Sequence, residues 1–212
     1  MSESPAGRGV FSDIAGRYDR LNSILSLGRD HAWRRSAIKH LPPGTVLDLG
    51  AGTGAANELF GDRHVVALDP EPNMLDLNPA ADKVVGTGES LPFADGSIDG
   101  VFSAFVFRNL TSVPDTLDEI SRVLRPSGVA AIIDLGRPES RVTGAIHRAG
   151  TSVVLPAAGA LIGAADEYRY LHHSLDKHPP PDELLRHDRL RLDKVWRMGL
   201  LRFVWAAVLR KV

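Results

Sequence analysis

Thr45-Val46-Leu47-Asp48-Leu49-Gly50-Ala51-Gly52-Thr53-Gly54 decides how the rest of this chain is read. Thr45 to Leu49 is a short apolar run that ends in a glycine turn, and Pro42-Pro43-Gly44 stops whatever precedes it, so the run is predicted to be a strand. Downstream, Ala55 to Phe60 is predicted to be helical and His64 to Leu68 to be a second strand. Val84-Val85 predicts a third strand, Gly100 to Phe105 a fourth and Val129 to Leu135 a fifth. Between the last two, Leu117, Ile120, Val123 and Leu124 form a helical stripe that stops before Pro126-Ser127-Gly128. Strands alternating with helices imply an α/β fold, a mainly parallel sheet with helices on both faces.

Outside that core the pattern changes. Upstream, Phe11, Ile14, Tyr18, Leu21 and Leu25 share one face of a predicted amphipathic helix, and a second helix is expected from Asp30 to Leu41. Beyond Leu135, residues 139 to 178 look helical, Pro179-Pro180-Pro181 breaks the chain, and Asp182 to Arg186 begins another helix. Lys194 to Met198 and Arg202 to Leu209 are predicted to form a hairpin completing the sheet. The expected organisation is one domain over residues 1–212: a tail at 1–9, helices within 11–41, a ligand-binding core at 45–135, a cap at 139–186 and terminal strands at 194–209.

Composition narrows the partners. The chain has 212 residues and a formal net charge of −1, which offers no global attraction to nucleic acid. It has no cysteine, so disulfides, thiolate metal sites and cysteine nucleophiles are excluded, and Met1 to Val10 lacks the apolar run of a secretory signal. The expected location is the cytoplasm. Val153 to Ala165 is the most apolar stretch, broken by Pro156, Gly159 and Gly163 and shorter than the roughly 20 residues a spanning helix needs. It reads as a buried helix or packed loop, with a lid over a greasy ligand or a shallow membrane contact as the alternatives. His31, His172, His173 and His178 match no zinc spacing, and no metal is expected. Asp95 and Asp99 lie in a turn-forming Pro-Phe-Ala-Asp-Gly-Ser context and are not assigned to catalysis.

In an open α/β sheet a ligand sits at the carboxyl ends of the strands, where Gly50, Gly52 and Gly54 let the backbone approach it closely. The helix expected after the loop would offer unpaired N–H groups. Asp69 follows the second strand, where a carboxylate accepts hydrogen bonds from ribose hydroxyls. Gly50, Gly52 and Ala55 also satisfy the looser dinucleotide pattern G-x-G-x-x-A. Asp48 favours the other reading, since a carboxylate there repels a pyrophosphate and attracts a cationic ammonium.

With these residues in place, the chain resembles the class I S-adenosylmethionine (SAM)-dependent methyltransferases, which have a Rossmann-like fold, and within them the ubiquinone/menaquinone biosynthesis C-methyltransferase family. The resemblance is carried by Tyr18-Asp19-Arg20-Leu21-Asn22, Trp33-Arg34-Arg35, Leu91-Pro92-Phe93, Arg108-Asn109 and Tyr168-Arg169-Tyr170-Leu171, in that order. It implies SAM as cofactor, held by Asp48, Gly50, Gly52, Thr53, Gly54, Asp69 and Pro70. Thr87 and Gly88 would flank the adenine, and Ala104 and Phe105 would line the pocket. It further implies a polyprenylated hydroquinone acceptor, a lipophilic quinol such as demethylmenaquinol or a ubiquinol precursor, with Asn22, Asn109 and Tyr168 on the substrate side.

Ring-carbon methylation needs an electron-rich carbon, which a neighbouring phenol with a pKa of about 10 provides once it loses its proton. Arg108 is the leading candidate to stabilise that phenolate, and Tyr18 to orient the substrate or relay the proton. Trp33 is expected to pack in the core, with Arg34 and Arg35 solvated. Several positions depart from the family's pattern: its Asn-Ala reads Thr87-Gly88, a serine reads Ala104, and Gly-Leu-Arg-Asn reads Val106-Phe107-Arg108-Asn109. A cap histidine is also absent from Thr151-Ser152-Val153-Val154. These changes keep open an O- or N-methyltransferase of another lipid or secondary metabolite, and a SAM-binding protein without turnover.

Overall fold

A computed structural model describes residues 28–136, 144, 179–199 and 202–212 of the chain. Tyr18, Asn22 and Tyr168, the N-terminal stripe and the cap to residue 178, including Val153 to Ala165, lie outside the described residues. Elements are numbered among those that are described.

The segment singled out by its sequence is β1, Thr45–Leu49, with the boundaries expected. Val46 to Leu49 are all buried, as befits a central strand covered on both faces. β2 (His64–Asp69), β3 (Asp82–Val85), β4 (Ile98–Ala104) and β5 (Leu124–Leu135) run parallel to it. β6 (Leu190–Met198) and β7 (Val204–Lys211) form the expected hairpin, and β7 lies antiparallel between β5 and β6. The seven strands follow the order β3-β2-β1-β4-β5-β7-β6.

Helices close both faces. α1, Asp30–Ile38, turns Trp33, Ala37 and Ile38 onto one face of the sheet, where they pack with Val46, Phe60, Phe102 and Ile133. It stops three residues before the expected Leu41, which is still buried. α3, Val113–Val123, covers the other face with Leu117 and Ile120, against Leu47, Leu49, Val101 and Ile132. Ser112 caps it by accepting from Asp115 N at 3.3 Å, one of the donors a helix start leaves unpaired. α2, Pro72–Leu77, and α4, Pro181–Leu184, are short, and each has a proline in its first turn.

Ala55 to Phe60 is not an α-helix, and only Asn57–Leu59 makes a 3-10 turn. Gly54 and Gly61 bracket this stretch with φ of +87° and +63°, and Asn78 ties Asn57 to the glycine loop, so both ends leave helical geometry. The expectation of helical N–H donors behind the glycine loop is therefore corrected. Among the described residues no helix is long and apolar enough to cross a membrane.

Candidate active site

The carboxyl ends of β1, β2, β3 and β4 bring the expected cofactor residues to one edge of the sheet. Gly50 N and Ala51 N donate to Leu68 O at 2.8 and 3.0 Å, which pins the glycine loop to the end of β2. Gly50 has φ +71°, and a Cβ there would lie 2.2 Å from Val106 Cγ2, so the loop and the β4 end pack without room for a side chain. Gly52 N donates to Asp69 Oδ2 at 2.9 Å and Glu71 N to Oδ1 at 3.0 Å. The Asp69 carboxylate thus fixes the loop after β1 to the turn after β2.

In place of a helix, a buried amide holds the loop. Asn78, the residue after α2, donates to Gly52 O at 3.0 Å and accepts from Asn57 Nδ2 at 3.2 Å and Ala80 N at 2.9 Å. Thr53 and Gly54 are half-buried in the loop, Pro70 is exposed beside Asp69, Thr87 is exposed beyond β3, and Gly88 is buried. Ala104 ends β4 half-buried. The neighbouring hydroxyl does not replace the serine that the family has there, because Ser103 faces the other side of the sheet and donates to Leu49 O at 3.0 Å.

Two acids set the electrostatics. Burial pushes the Asp48 carboxyl up to about 7, with Asp69 adding to the rise and the Arg34 guanidinium opposing it. Burial also raises Asp69, against the pull of the Glu71 and Gly52 N–H groups. A site with two buried carboxylates at the end of a glycine loop suits a ligand bearing a cation and hydroxyls. A pyrophosphate would meet those two acids, and among the described residues no α-helix starts directly behind the glycine loop. The residues therefore fit SAM.

Phe105 leaves β4 with φ +67°, an uncommon conformation for a residue with a Cβ, and donates its N–H to Ile133 O at 2.7 Å. Next along the chain, Phe107–Asn109 makes a 3-10 turn. Asn109 is exposed there, whereas the Arg108 side chain is only 9% exposed and donates through Nη1 to Asp134 Oδ1 at 2.6 Å. Asp134, at 1% exposure, also accepts from Arg108 N at 3.0 Å and from Leu135 N at 2.7 Å. Sequence reasoning missed Asp134, although an acid inside the apolar run Val129 to Leu135 signals a buried partner.

Arg34 is not simply solvated: it is half-buried, with its guanidinium carbon 5.4 Å from the centroid of the Phe105 ring. Trp33 packs in the core as expected, and Arg35 is exposed. Asp95 pairs with Arg122, and Asp99 with Arg125 and Thr45 N, the latter at the opposite end of β1 from the glycine loop.

The family model for ubiE/COQ5 methyltransferases matches residues 2–188. The chain belongs to the ubiE/COQ5 methyltransferase family. It is similar to the demethylmenaquinone methyltransferase of Thermus thermophilus, 36% identical over 82% of this chain and 87% of the relative. The same enzyme of Deinococcus radiodurans is 38% identical over 82% and 79%, and the ubiquinone/menaquinone biosynthesis C-methyltransferase UbiE of Geobacter sulfurreducens 36% over 83% and 76%. Solved structures agree on the fold. A SAM-dependent methyltransferase of Thermotoga maritima superposes with a TM-score of 0.68 at 17% identity, covering 96% of this chain and 99% of its own. One from Aquifex aeolicus gives 0.54 at 20%, covering 92% and 98%. This is a class I methyltransferase fold, and the chain is a methyltransferase of the SAM-dependent kind.

Proposed function

We propose that this methyltransferase transfers a methyl group to a ring carbon of a polyprenylated hydroquinone of the demethylmenaquinol kind. The observation that carries the acceptor is its similarity, over four-fifths of its length, to relatives named for demethylmenaquinone. SAM, when bound, supplies a methyl group on a sulfonium, so the chain's main task is alignment, which can contribute about 7–11 kcal/mol. Asp69 receives the ribose hydroxyls, Asp48 the cationic end, and the Gly50 to Gly54 backbone lies along the ligand. Thr53 and Pro70 border it, Thr87 and Gly88 flank the adenine, and Ala104 and Phe105 close the pocket.

On the acceptor side, Arg108 holds the phenolate oxygen beside the reacting carbon. An arginine does not act as a free base, and here its charge is matched by Asp134. The pair therefore acts by direction more than by long-range attraction. Asp134 holds the guanidinium through Nη1, and a phenolate received by Arg108 gains a charge-assisted hydrogen bond. Tyr18, Asn22, Asn109 and Tyr168 belong to the substrate side of this reading. An acceptor with a prenyl tail partitions into lipid, so the protein meets it at a membrane surface.

Mass spectrometry of a reaction with methyl-labelled SAM and chemically reduced, short-tailed demethylmenaquinone and benzoquinone analogues tests the proposal. A labelled methyl on a ring carbon, lost in Asp69→Ala and Arg108→Ala, is the expected result. SAM binding by calorimetry with no quinol product would reject the acceptor while leaving the cofactor in place.

A further inference from the structure

We propose that Arg34 anchors the carboxylate of the cofactor's amino-acid end, so that Asp48 and Arg34 together match its ammonium and carboxylate. The inference rests on the reading of the site as a SAM site.

The helix places the arginine. Trp33, Ala37 and Ile38 fix the rotation of α1 by burying one face, and Trp33 meets Phe203 edge-on with centroids 6.3 Å apart. Phe203 precedes Val204, which pairs with Leu135 at the carboxyl end of β5. Past the other end of α1, a Cβ on Gly100, near the start of β4, would meet Leu41 and Pro42. The N-terminus of α1 therefore lies at the same edge of the sheet as the glycine loop. Helical side chains lean toward the N-terminus, which carries Arg34 toward that edge. Its seat over Phe105 places the guanidinium there.

Asp48 lies on the same side. Val46 packs with Trp33 and Ile38 on the α1 face, and side chains alternate along a strand, so Asp48 projects to that face too. Arg34 is the cation that opposes the upward shift of the Asp48 carboxyl.

Charge matching then decides what Arg34 is for. The site already holds two buried carboxylates, Asp48 and Asp69. A ligand with a carboxylate of its own would be repelled there unless a cation received it. A guanidinium presents the planar fork that a carboxylate matches with two parallel hydrogen bonds. Arg35, the next residue, is exposed and offers no equivalent.

The test compares SAM with decarboxylated SAM, which differs only by the carboxylate, by calorimetry on the full chain, with melting curves alongside. The wild type should prefer SAM. Arg34→Ala should weaken SAM by about 10- to 100-fold, the size of a charged hydrogen bond. It should leave decarboxylated SAM close to its wild-type affinity, so the preference disappears. Arg34→Lys should recover part of that preference, which a loss of folding would not. Equal weakening of both compounds would make Arg34 a packing residue and overturn the proposal, as would a wild type that does not discriminate between them. A wild type that binds neither would reject the SAM reading itself, and this inference with it.

Discussion

Breaking the Arg108–Asp134 pair should cost more than cancelling both of its charges. Both side chains are almost fully buried, and Asp134 accepts hydrogen bonds from Arg108 Nη1, Arg108 N and Leu135 N. Asp134→Asn keeps the shape but cancels the charge and turns an NH2 group toward a donor. Leaving one partner of a buried ion pair uncompensated costs about 3–5 kcal/mol. In a chain of this size each kcal/mol moves the melting temperature by about 2–4 °C, so a drop of roughly 6–20 °C is expected. Arg108→Met should cost a similar amount, because it strands the carboxylate. The double variant, Arg108→Met with Asp134→Asn, should fall only about 1–3 kcal/mol below wild type, because no buried charge is left uncompensated and the amide oxygen still accepts from one of the two backbone N–H groups. Denaturant unfolding of the four proteins measures the cycle, and methyl transfer to a quinol is assayed on the same samples. The double variant should be stable and inactive, which separates the structural role of the pair from its proposed catalytic one. A single variant costing less than about 1 kcal/mol would refute the buried-pair reasoning. A stable double variant with full activity would remove Arg108 from the reaction.

Asp48 should make stability depend on pH. Its carboxyl is raised from 3.8 to about 7 in the folded ligand-free protein, so between these values the folded chain keeps a proton that the unfolded chain has released. The stabilisation is complete below about pH 4 and is lost as pH rises through about 7, at up to about 1.4 kcal/mol per pH unit. Asp48→Asn should remove this part of the slope and leave the part the raised Asp69 carboxyl contributes, and parallel unfolding curves for the two proteins across this range would argue against it. In the glycine loop, Gly50→Ala should destabilise by about 2–5 kcal/mol, combining positive-φ strain with the collision at Val106. Gly52→Ala, whose Cβ would meet only Met74 Cε among the described residues, at 3.5 Å, should cost about 1–2 kcal/mol from its φ of +53°. Melting curves that rank the two variants the other way would contradict the described packing.

Where a local pattern and the tertiary structure demand the same thing, the sequence could be read closely. Thr45 to Leu49 is an apolar run between two glycine-containing turns, and nothing else competes for it. Asp69 follows from the end of the next such run. Misreadings arose where distant contacts decide. Alanines and leucine favour a helix between Ala55 and Phe60, but two positive-φ glycines and the Asn78 bracket hold the segment short. β5 begins at Leu124 rather than Val129, because Leu124 pairs with Ile98 before the register shifts past Pro126 and Ser127. Asp134 carries no motif, and the Trp33-Arg34-Arg35 motif does not say what Arg34 meets. Their roles depend on partners 26 and 71 residues away, Arg108 and Phe105, and only folding brings these together.

The sheet also separates the charges by face. Asp48, Ala104 and Phe105 belong to the α1 side, with Arg34 above them. Phe107, before Arg108, packs on the α3 side, and so does Trp205, opposite Asp134 in the β5–β7 register. Arg108 is the cation of that second face, paired with Asp134. Asp134, bonded to both the backbone and the side chain of Arg108, holds that cation on its own face. The acid proposed to hold the cofactor's cation and the arginine proposed for the acceptor are thereby kept on opposite faces of the sheet.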